Sequence, residues 1–411
     1  MSDREYDLVV FGATGLAGRL LAAYLAREAP SGMRVALAGR SRERLENVRA
    51  DLPAAAQEWP LVVCDATDHA QVAHLARSTR VVVTTVGPYA RYGLQLVRAC
   101  AEAGTHYADL TGEVLFVRDA IDAAHETAAS SGARIVTACG FDSIPSDLGV
   151  LLLFREAERQ GLGGLGDTTL LVTRLSGGIS GGTVDSIRSQ VEALEADPER
   201  RRILHDPFAL SADHLAGPDR SGQRDAMYVY RDATTGRWTA PWLMASFNSR
   251  IVRRTDSLLG HAYGPTFRYR EAVAFGRGTR GRLEAYVLAA ALGTAFTVMS
   301  NPRIRPLADR VLPSPGEGPG AKAREEGYFR FEICTTTASG SRLRSVVAAQ
   351  GDPGYAATVV MLGESALCLA EDEERLGSEG GVLTPAVAMG DVLVERLRIA
   401  GMTLSVGPDA G

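Results

Sequence analysis

Gly12-Ala13-Thr14-Gly15-Leu16-Ala17-Gly18 sets three glycines at three-residue intervals directly after the short apolar run Asp7 to Phe11. Glycines in such a turn let the backbone approach a pyrophosphate closely. The free N–H groups and partial positive charge at the start of the following helix attract the anion. Gly12, Ala13, Thr14, Gly15, Leu16 and Gly18 are therefore the expected phosphate cradle. A second apolar run, Arg34 to Ala38, ends in Gly39-Arg40-Ser41, and 40 − 18 = 22 places Arg40 where an acidic residue would grip a ribose 2′-hydroxyl. A guanidinium instead clamps a 2′-phosphate through paired N–H bonds. Arg40 and Ser41 thus predict NADP(H) over NAD(H). Asp65, closing the third run, is expected to accept from the adenine amino group, to cap the next short helix, or both.

The fourth run ends in Val86-Gly87-Pro88, a rigid turn expected beside the nicotinamide ribose. Tyr89 and Tyr92 follow; either phenol can face a substrate, although packing is the commoner fate of a single tyrosine. Two polar clusters, His106 to Glu113 and Cys139 to Asp147, lie just past apolar strands on the same rim. Each joins acids, hydroxyls and glycine where a proton donor would be held. The proton is expected from Tyr89, from an acid such as Asp142, or from water, and the expected substrate contacts are Tyr107, Asp109, Phe141 and Ser143. Glu113 and Asp147 are better read as helix caps. Backbone N–H groups after Gly87 or Gly140 are candidates for holding a developing oxyanion. No H-x-x-x-H, H-E-x-x-H, C-x-x-C or Ser/His/Asp pattern occurs, so neither a metal nor a nucleophile is expected. His69, His74 and His125 fall in helix patterns as solvated residues.

Positioning these groups requires strand ends that share one edge. The apolar runs within residues 1–146 alternate with helix patterns, and continuous apolar strands flanked by helices mean a parallel sheet covered on both faces. An α/β, doubly wound Rossmann domain is therefore expected over 1–146. After Asp147 the rhythm changes. Phe329-Arg330-Phe331-Glu332-Ile333 alternates apolar and charged residues, with Thr266 to Phe275 and Arg342 to Ala349 as its neighbours and Ser339-Gly340-Ser341 as a hairpin turn. A second, α+β domain with a mostly antiparallel sheet is expected over 147–350, with helices over 351–411. Ser314 to Gly320 reads as a loop. Ala285 to Ser300 carries no charge; it is expected to be a buried or half-buried helix, the alternatives being a lipid-facing surface, the wall of an acyl channel or, least favoured by its length, a membrane span.

Composition closes off other classes. A net charge of −5, from 44 basic against 49 acidic residues, provides no field for nucleic acid. Lys322 is the single lysine and sits in a Pro/Gly-rich stretch, so no P-loop is possible. Five scattered cysteines (Cys64, Cys100, Cys139, Cys334 and Cys368) read as small buried hydrophobes, not a disulfide framework. Together with the charged start Met1 to Glu5, they predict a reducing, cytoplasmic setting, with membrane association as the exception that the uncharged segment would allow.

These residues resemble the saccharopine dehydrogenase-like oxidoreductases and, more narrowly, the actinobacterial trans-acting enoyl reductases. The matching blocks are Gly12–Gly18, Leu37–Leu45, Val82–Gly93, His106–Glu113, Gly140–Gly149, Gly351–Leu369 and Gly380–Leu397. The stretch from about Arg188 to Arg282 matches poorly. The resemblance implies an NADP-binding Rossmann domain, a second α+β domain, and C-terminal helices that pack back on the first. It also implies reduction of an α,β-unsaturated acyl or polyketide thioester during lipid or polyketide biosynthesis, by an enzyme separate from its polyketide synthase partner. Two other functions stay open: imine or aldehyde reduction on a small amino-acid-like substrate, and an NADP-binding sensor or scaffold without turnover. A homodimer and peripheral membrane contact are compatible with either.

Overall fold

The computed structural model describes residues 4–177, 197–212, 223, 225–300 and 320–409. The first sheet collects β1 (Tyr6–Phe11), β2 (Val35–Gly39), β3 (Leu61–Val63), β4 (Thr79–Thr84), β5 (His106–Ala108) and β6 (Arg134–Val136), with a late strand, β13 (Gly381–Leu383), at its far edge. Its order is β13-β6-β5-β4-β1-β2-β3 and every pairing is parallel. Strand alternation sends Leu8, Val10, Leu37, Val81 and Val83 into one core and Val9, Phe11, Ala36, Ala38 and Val82 into another. Both faces are buried, which is why these strands read as unbroken apolar runs.

The intervening helices are α1 (Leu16–Glu28), α2 (Arg42–Ala50), α3 (His69–Ser78), α4 (Tyr89–Ala103) and α5 (Val114–Ser131). Helices α4 and α5 each stop at a left-handed glycine, Gly104 and Gly132. Phe11 pairs with Ala38 on one side and Thr84 on the other, so the turns after β1, β2 and β4 leave the sheet at one level. The strand order reverses between β1 and β4, and the crevice outside those ends is where α/β sheets bind ligands.

Helix α6 (Ile144–Arg159) crosses to a second sheet, made of β7 (Leu165–Ser176), β8 (Tyr230–Arg231), β9 (Trp238–Pro241), β10 (Arg268–Ala274), β11 (Tyr328–Thr337), β12 (Arg342–Gln350) and β14 (Thr403–Pro408). Its order is β14-β12-β11-β7-β10-β9-β8; only β7 and β10 run parallel. Phe329, Phe331 and Ile333 are buried while Arg330 and Glu332 are paired at the surface side, as the alternation predicts. Gly149 lets α6 press onto this sheet, because a Cβ there would stand 2.2 Å from Ile333 Cδ1.

The remaining helices are α7 (Pro198–His205), α8 (Ala245–Leu258), α9 (Thr279–Ser300), α10 (Ala321–Glu326), α11 (Thr358–Glu371), α12 (Pro385–Ala388) and α13 (Gly390–Ile399). Helix α11 packs on α1, where Tyr24 OH donates to Glu364 Oε1 at 2.6 Å. The last part of the chain thus returns to the first domain with helices, and it also adds β13 to the first sheet and β14 to the second. The apolar stretch Pro353–Glu371 matches a membrane span by length and composition, but 83% of its span-like window is buried within the fold.

Three expectations need correction. Ala285 to Ser300 is helical; Ala285 is buried and Leu288, Ala289, Leu292 and Val298 are half-buried, but Tyr286, Val287 and Phe296 are exposed, with the first turns of α9 resting on β9. Lys322 lies on the short helix α10, exposed and 3.7 Å from Glu326, rather than in a loop. His125 is not solvated; its Nδ1 accepts from the Val382 N–H and fastens β13. The loop expected at 314–319 lies outside the described residues. All five cysteines are free and buried.

Candidate active site

The glycine turn has steric reasons at two positions and an open one at the third. Gly12 takes φ +92°, and a Cβ there would come within 2.8 Å of Thr85 Oγ1. A Cβ on Gly18 would lie 2.1 Å from the Gly12 carbonyl oxygen, so α1 sits directly on the turn. Gly15 differs: a Cβ would meet only the Gly12 oxygen, at 3.6 Å. Among the described residues no other atom beyond its chain neighbours comes within 4 Å of that point. No side chain caps α1, and no acid stands in its first turn. Ala13 is buried beneath the turn while Thr14 and Leu16 flank the opening. That uncapped helix start behind an open glycine fits a pyrophosphate.

Arg40 is exposed at the end of β2 and makes no ion pair among the described residues. Its charge helps hold the neighbouring Asp65 carboxyl below the usual carboxylate range, after the bonds from the Thr67 N–H and hydroxyl, which weigh more. Asp65 Oδ1 accepts both Thr67 bonds, at 2.9 and 2.8 Å, so this side chain shapes its own turn. Asp68, not Asp65, caps α3. Ser41 caps α2 by accepting from the Arg44 N–H at 3.3 Å. Across the crevice, the Val86 N–H donates to Thr84 Oγ1, and Gly87 stands exposed with only the Tyr89 ring near its missing Cβ.

The rim residues divide into braces and one open acid. Tyr89 faces inward: its hydroxyl donates to the Thr84 carbonyl at 3.1 Å and accepts from the Leu110 N–H at 3.4 Å, with its ring 5.5 Å from that of Phe116. Burial pushes its phenol well above the ordinary range. Tyr107 OH donates to Asp109 Oδ2 at 2.7 Å, while Asp109 Oδ1 accepts from the Thr111 and Ala138 N–H groups at 3.0 and 2.8 Å. This buried trio locks the exits of β5 and β6; burial raises Asp109 to about 6. Glu113 accepts from the Tyr89 and Ala90 N–H groups, so it caps α4, the preceding helix, from across the rim. Ser143 donates to Asn248 Oδ1, and Asn248 in turn donates to Glu271, which also accepts from Ser146 and Tyr269. Asp147 is buried and accepts from the Thr255 hydroxyl and the Ala386 N–H, joining α6 to α8 and α12.

Asp142 is different. It is half-buried and, among the described residues, takes no hydrogen bond. Its Oδ2 lies 3.6 Å from where a Gly112 Cβ would be, and Met244 Cε lies 3.4 Å from the same point. Burial alone raises this carboxyl to about 6. Beside it Phe141 packs against Phe329 and Phe331, at ring distances of 4.9 and 5.3 Å, and Trp242 stands edge-on to Phe331. Trp242 Nε1 is buried without a hydrogen-bond partner among the described residues. Trp242 and Met244 carry no motif and are brought here only by the β9–α8 turn. The two expected backbone oxyanion donors are not free. Residue 88 is proline, the Tyr89 N–H serves Glu113, and the Phe141 N–H serves Thr358 Oγ1 at 3.0 Å.

The buried acids set the pH response of the fold. Asp109 and Asp142 stand at about 6 and Asp147 and Glu271 at about 7, chiefly through burial. These values lie above those of an unfolded chain, so the folded state holds the extra protons. Their contribution is complete below about 4 and is lost as pH rises through about 6 to 7. Glu373 runs the other way: hydrogen bonding to His106, then Arg80, lowers it to about 2, so its contribution is lost as pH falls from about 4.5. Thermal unfolding followed across pH 3 to 9 is expected to give the highest Tm near pH 4 to 4.5, with a decline as pH rises toward about 7. A Tm that climbs steadily from pH 5 to 8 would contradict the buried-acid assignment.

Known proteins align with this geometry. Residues 8–136 match the family model described as the saccharopine dehydrogenase NADP binding domain. A Mycobacterium tuberculosis (strain H37Rv) protein, provisionally named a trans-acting enoyl reductase, is 48% identical over 98% of this chain and 97% of its own. The trans-acting enoyl reductase of Mycobacterium ulcerans (strain Agy99) is 45% identical over 98% of each chain. The solved apo saccharopine dehydrogenase (L-Glu forming) from Saccharomyces cerevisiae shares the fold with a TM-score of 0.53 at 12% identity, covering 98% of this chain and 99% of its own. A phosphate turn, a guanidinium at the second strand end and full-length likeness to these reductases converge: the chain is an NADP-dependent oxidoreductase and belongs to the saccharopine dehydrogenase-like family, among the trans-acting enoyl reductases.

Proposed function

We propose that this protein reduces the α,β-double bond of an acyl or polyketide thioester delivered by a separate synthase in lipid or polyketide biosynthesis. The observation that carries the reading is Asp142, a half-buried carboxyl just past β6 that takes no hydrogen bond among the described residues and lies near Met244 across Gly112. Its chain neighbour Phe141 gives it an apolar setting by packing on Phe329 and Phe331.

NADPH, when bound, supplies the hydride taken up at the β-carbon. The turn Gly12 to Gly18 and Arg40 would hold its phosphates, and Val86, Gly87 and Pro88 would lie beside its nicotinamide ribose. Hydride addition leaves an enolate whose negative oxygen needs a donor. We assign the proton for the α-carbon to Asp142, whose value near 6 suits a general acid close to neutral pH. One hydride and one proton then give the saturated thioester. Tyr107, Asp109, Phe141 and Ser143 act behind Asp142, holding the rim in place through the bonds and ring contacts described above.

The test is NADPH oxidation with an enoyl thioester on a carrier protein against a cyclic imine, with the product read by mass spectrometry. A gain of two hydrogens on the thioester supports the reading; turnover of the imine alone overturns it. Tyr89→Phe is expected to retain kcat within about threefold, since its hydroxyl is committed to Thr84 and Leu110. The same change should cost about 1 kcal/mol of stability through the lost bond and an orphaned N–H.

A further inference from the structure

Helix α9 (Thr279–Ser300) is anchored at one end and apolar around its circumference at the other. Its first turns rest on β9: Ala285 is buried, and the Arg282 guanidinium lies 5.3 Å over the Trp238 ring and 5.8 Å from that of Tyr286. Beyond that base no described element covers the helix. Leu283 is 66% exposed, Val287 61% and Phe296 65%, and Ala290, Ala291, Gly293 and Ala295 are exposed as well.

Two features say what kind of solvent this surface meets. From Ala285 on there is no charged side chain on any face. A helix docked to another protein has one apolar stripe and keeps a polar face toward water; one that is apolar all round is buried or in lipid. The two threonine hydroxyls within the run are satisfied by the helix itself. Thr294 Oγ1 donates to the Ala290 carbonyl at 2.9 Å and Thr297 Oγ1 to that of Gly293 at 2.8 Å. That is the requirement a hydrocarbon solvent imposes. At the base stand exposed Arg277, Arg280 and Arg282 with Trp238 and Tyr286, the basic and aromatic pairing that suits an anionic headgroup layer. Glu284, the nearest acid on the helix, is bonded to Arg280 at 2.9 Å. Ala285 to Ser300 spans about 24 Å as a helix, short of the roughly 30 Å of a bilayer's hydrocarbon core.

We infer that α9 is a membrane anchor that dips into one face of an anionic phospholipid bilayer, with Arg277, Arg280 and Arg282 at the headgroups. The inference is independent of the proposed reaction, because α9 contributes no residue to the crevice described above.

The test is co-sedimentation of the full-length protein with phosphatidylcholine vesicles containing about 30 mol% phosphatidylglycerol, compared with phosphatidylcholine alone. Binding is expected to the anionic vesicles, to weaken several-fold at about 0.5 M salt, and to fall at least tenfold in the double variant Val287→Asp/Phe296→Asp. These positions are exposed, so the variant should fold; unchanged circular dichroism and NADPH affinity confirm that. No vesicle binding by the parent protein overturns the inference, as does equal binding by the variant. Light scattering separates the other occupant: a parent dimer that the double variant splits, without vesicle binding, assigns α9 to a second copy of the chain and overturns the anchor.

Discussion

Asp142→Asn is expected to lower kcat about 10²- to 10⁴-fold, the range that a positioned general acid contributes. The change is nearly isosteric and removes only the transferable proton. NADPH affinity should therefore stay within about twofold of the parent, because the proposed dinucleotide contacts lie on the turns after β1, β2 and β4. The parent's pH profile gives the sign. Burial raises Asp142 to about 6, and the acid form is the active one, so kcat should decline as pH rises through about 6. The asparagine variant should lose that limb and run flat. Stopped-flow NADPH oxidation from pH 5 to 9 measures both. Near-parent turnover in the variant would transfer the proton's source to water and remove Asp142 from the chemistry.

Arg40→Glu is the second large effect. Arg40 is exposed, makes no ion pair among the described residues and has only the Asp65 charge nearby, so under the proposed reading it is free to clamp a dianionic 2′-phosphate. Two charge-assisted bonds at roughly 1.5–3 kcal/mol each correspond to about 10²- to 10⁴-fold in affinity. The glutamate both deletes them and repels the phosphate, yet it can accept from the 2′-hydroxyl of NADH. The ratio of kcat/KM for NADPH over NADH is expected to fall by at least about 10²-fold, the greater part through KM for NADPH. Salt should blunt the change, since the site is exposed. Steady-state kinetics with both dinucleotides checks it, and an unaltered ratio would show that the 2′-phosphate is held elsewhere.

Both effects depend on a division of labour that the rim makes visible. Of the polar residues past the strand ends, Tyr89, Tyr107, Asp109, Glu113, Ser143 and Asp147 all have protein partners and hold the rim rigid. Sequence alone places them beside the site but does not separate brace from reactant, because acids, hydroxyls and glycine are equally suited to either. Only the inward turn of the Tyr89 phenol and the absence of a partner at Asp142 distinguish them.

What the amino-acid order determined by itself was local and periodic. The apolar runs specify a parallel sheet, and the glycine spacing and the arginine after β2 mark the turns at its strand ends, because each depends on contacts within a few tens of residues. The alternation Phe329 to Ile333 likewise marks a half-buried strand and its hairpin with β12. Tertiary structure decided what long-range pairing controls. Residues 381–383 join β6 at the far edge of the first sheet, and the Gly-led strand Leu165–Ser176 becomes the centre of the second. Met244 reaches Gly112 and Asp142 from a turn without any motif. Helix α9 shows the limit most clearly: an uncharged run reads the same whether a core or a membrane will receive it, since hydrophobicity records a preference for leaving water and not the surface that takes water's place.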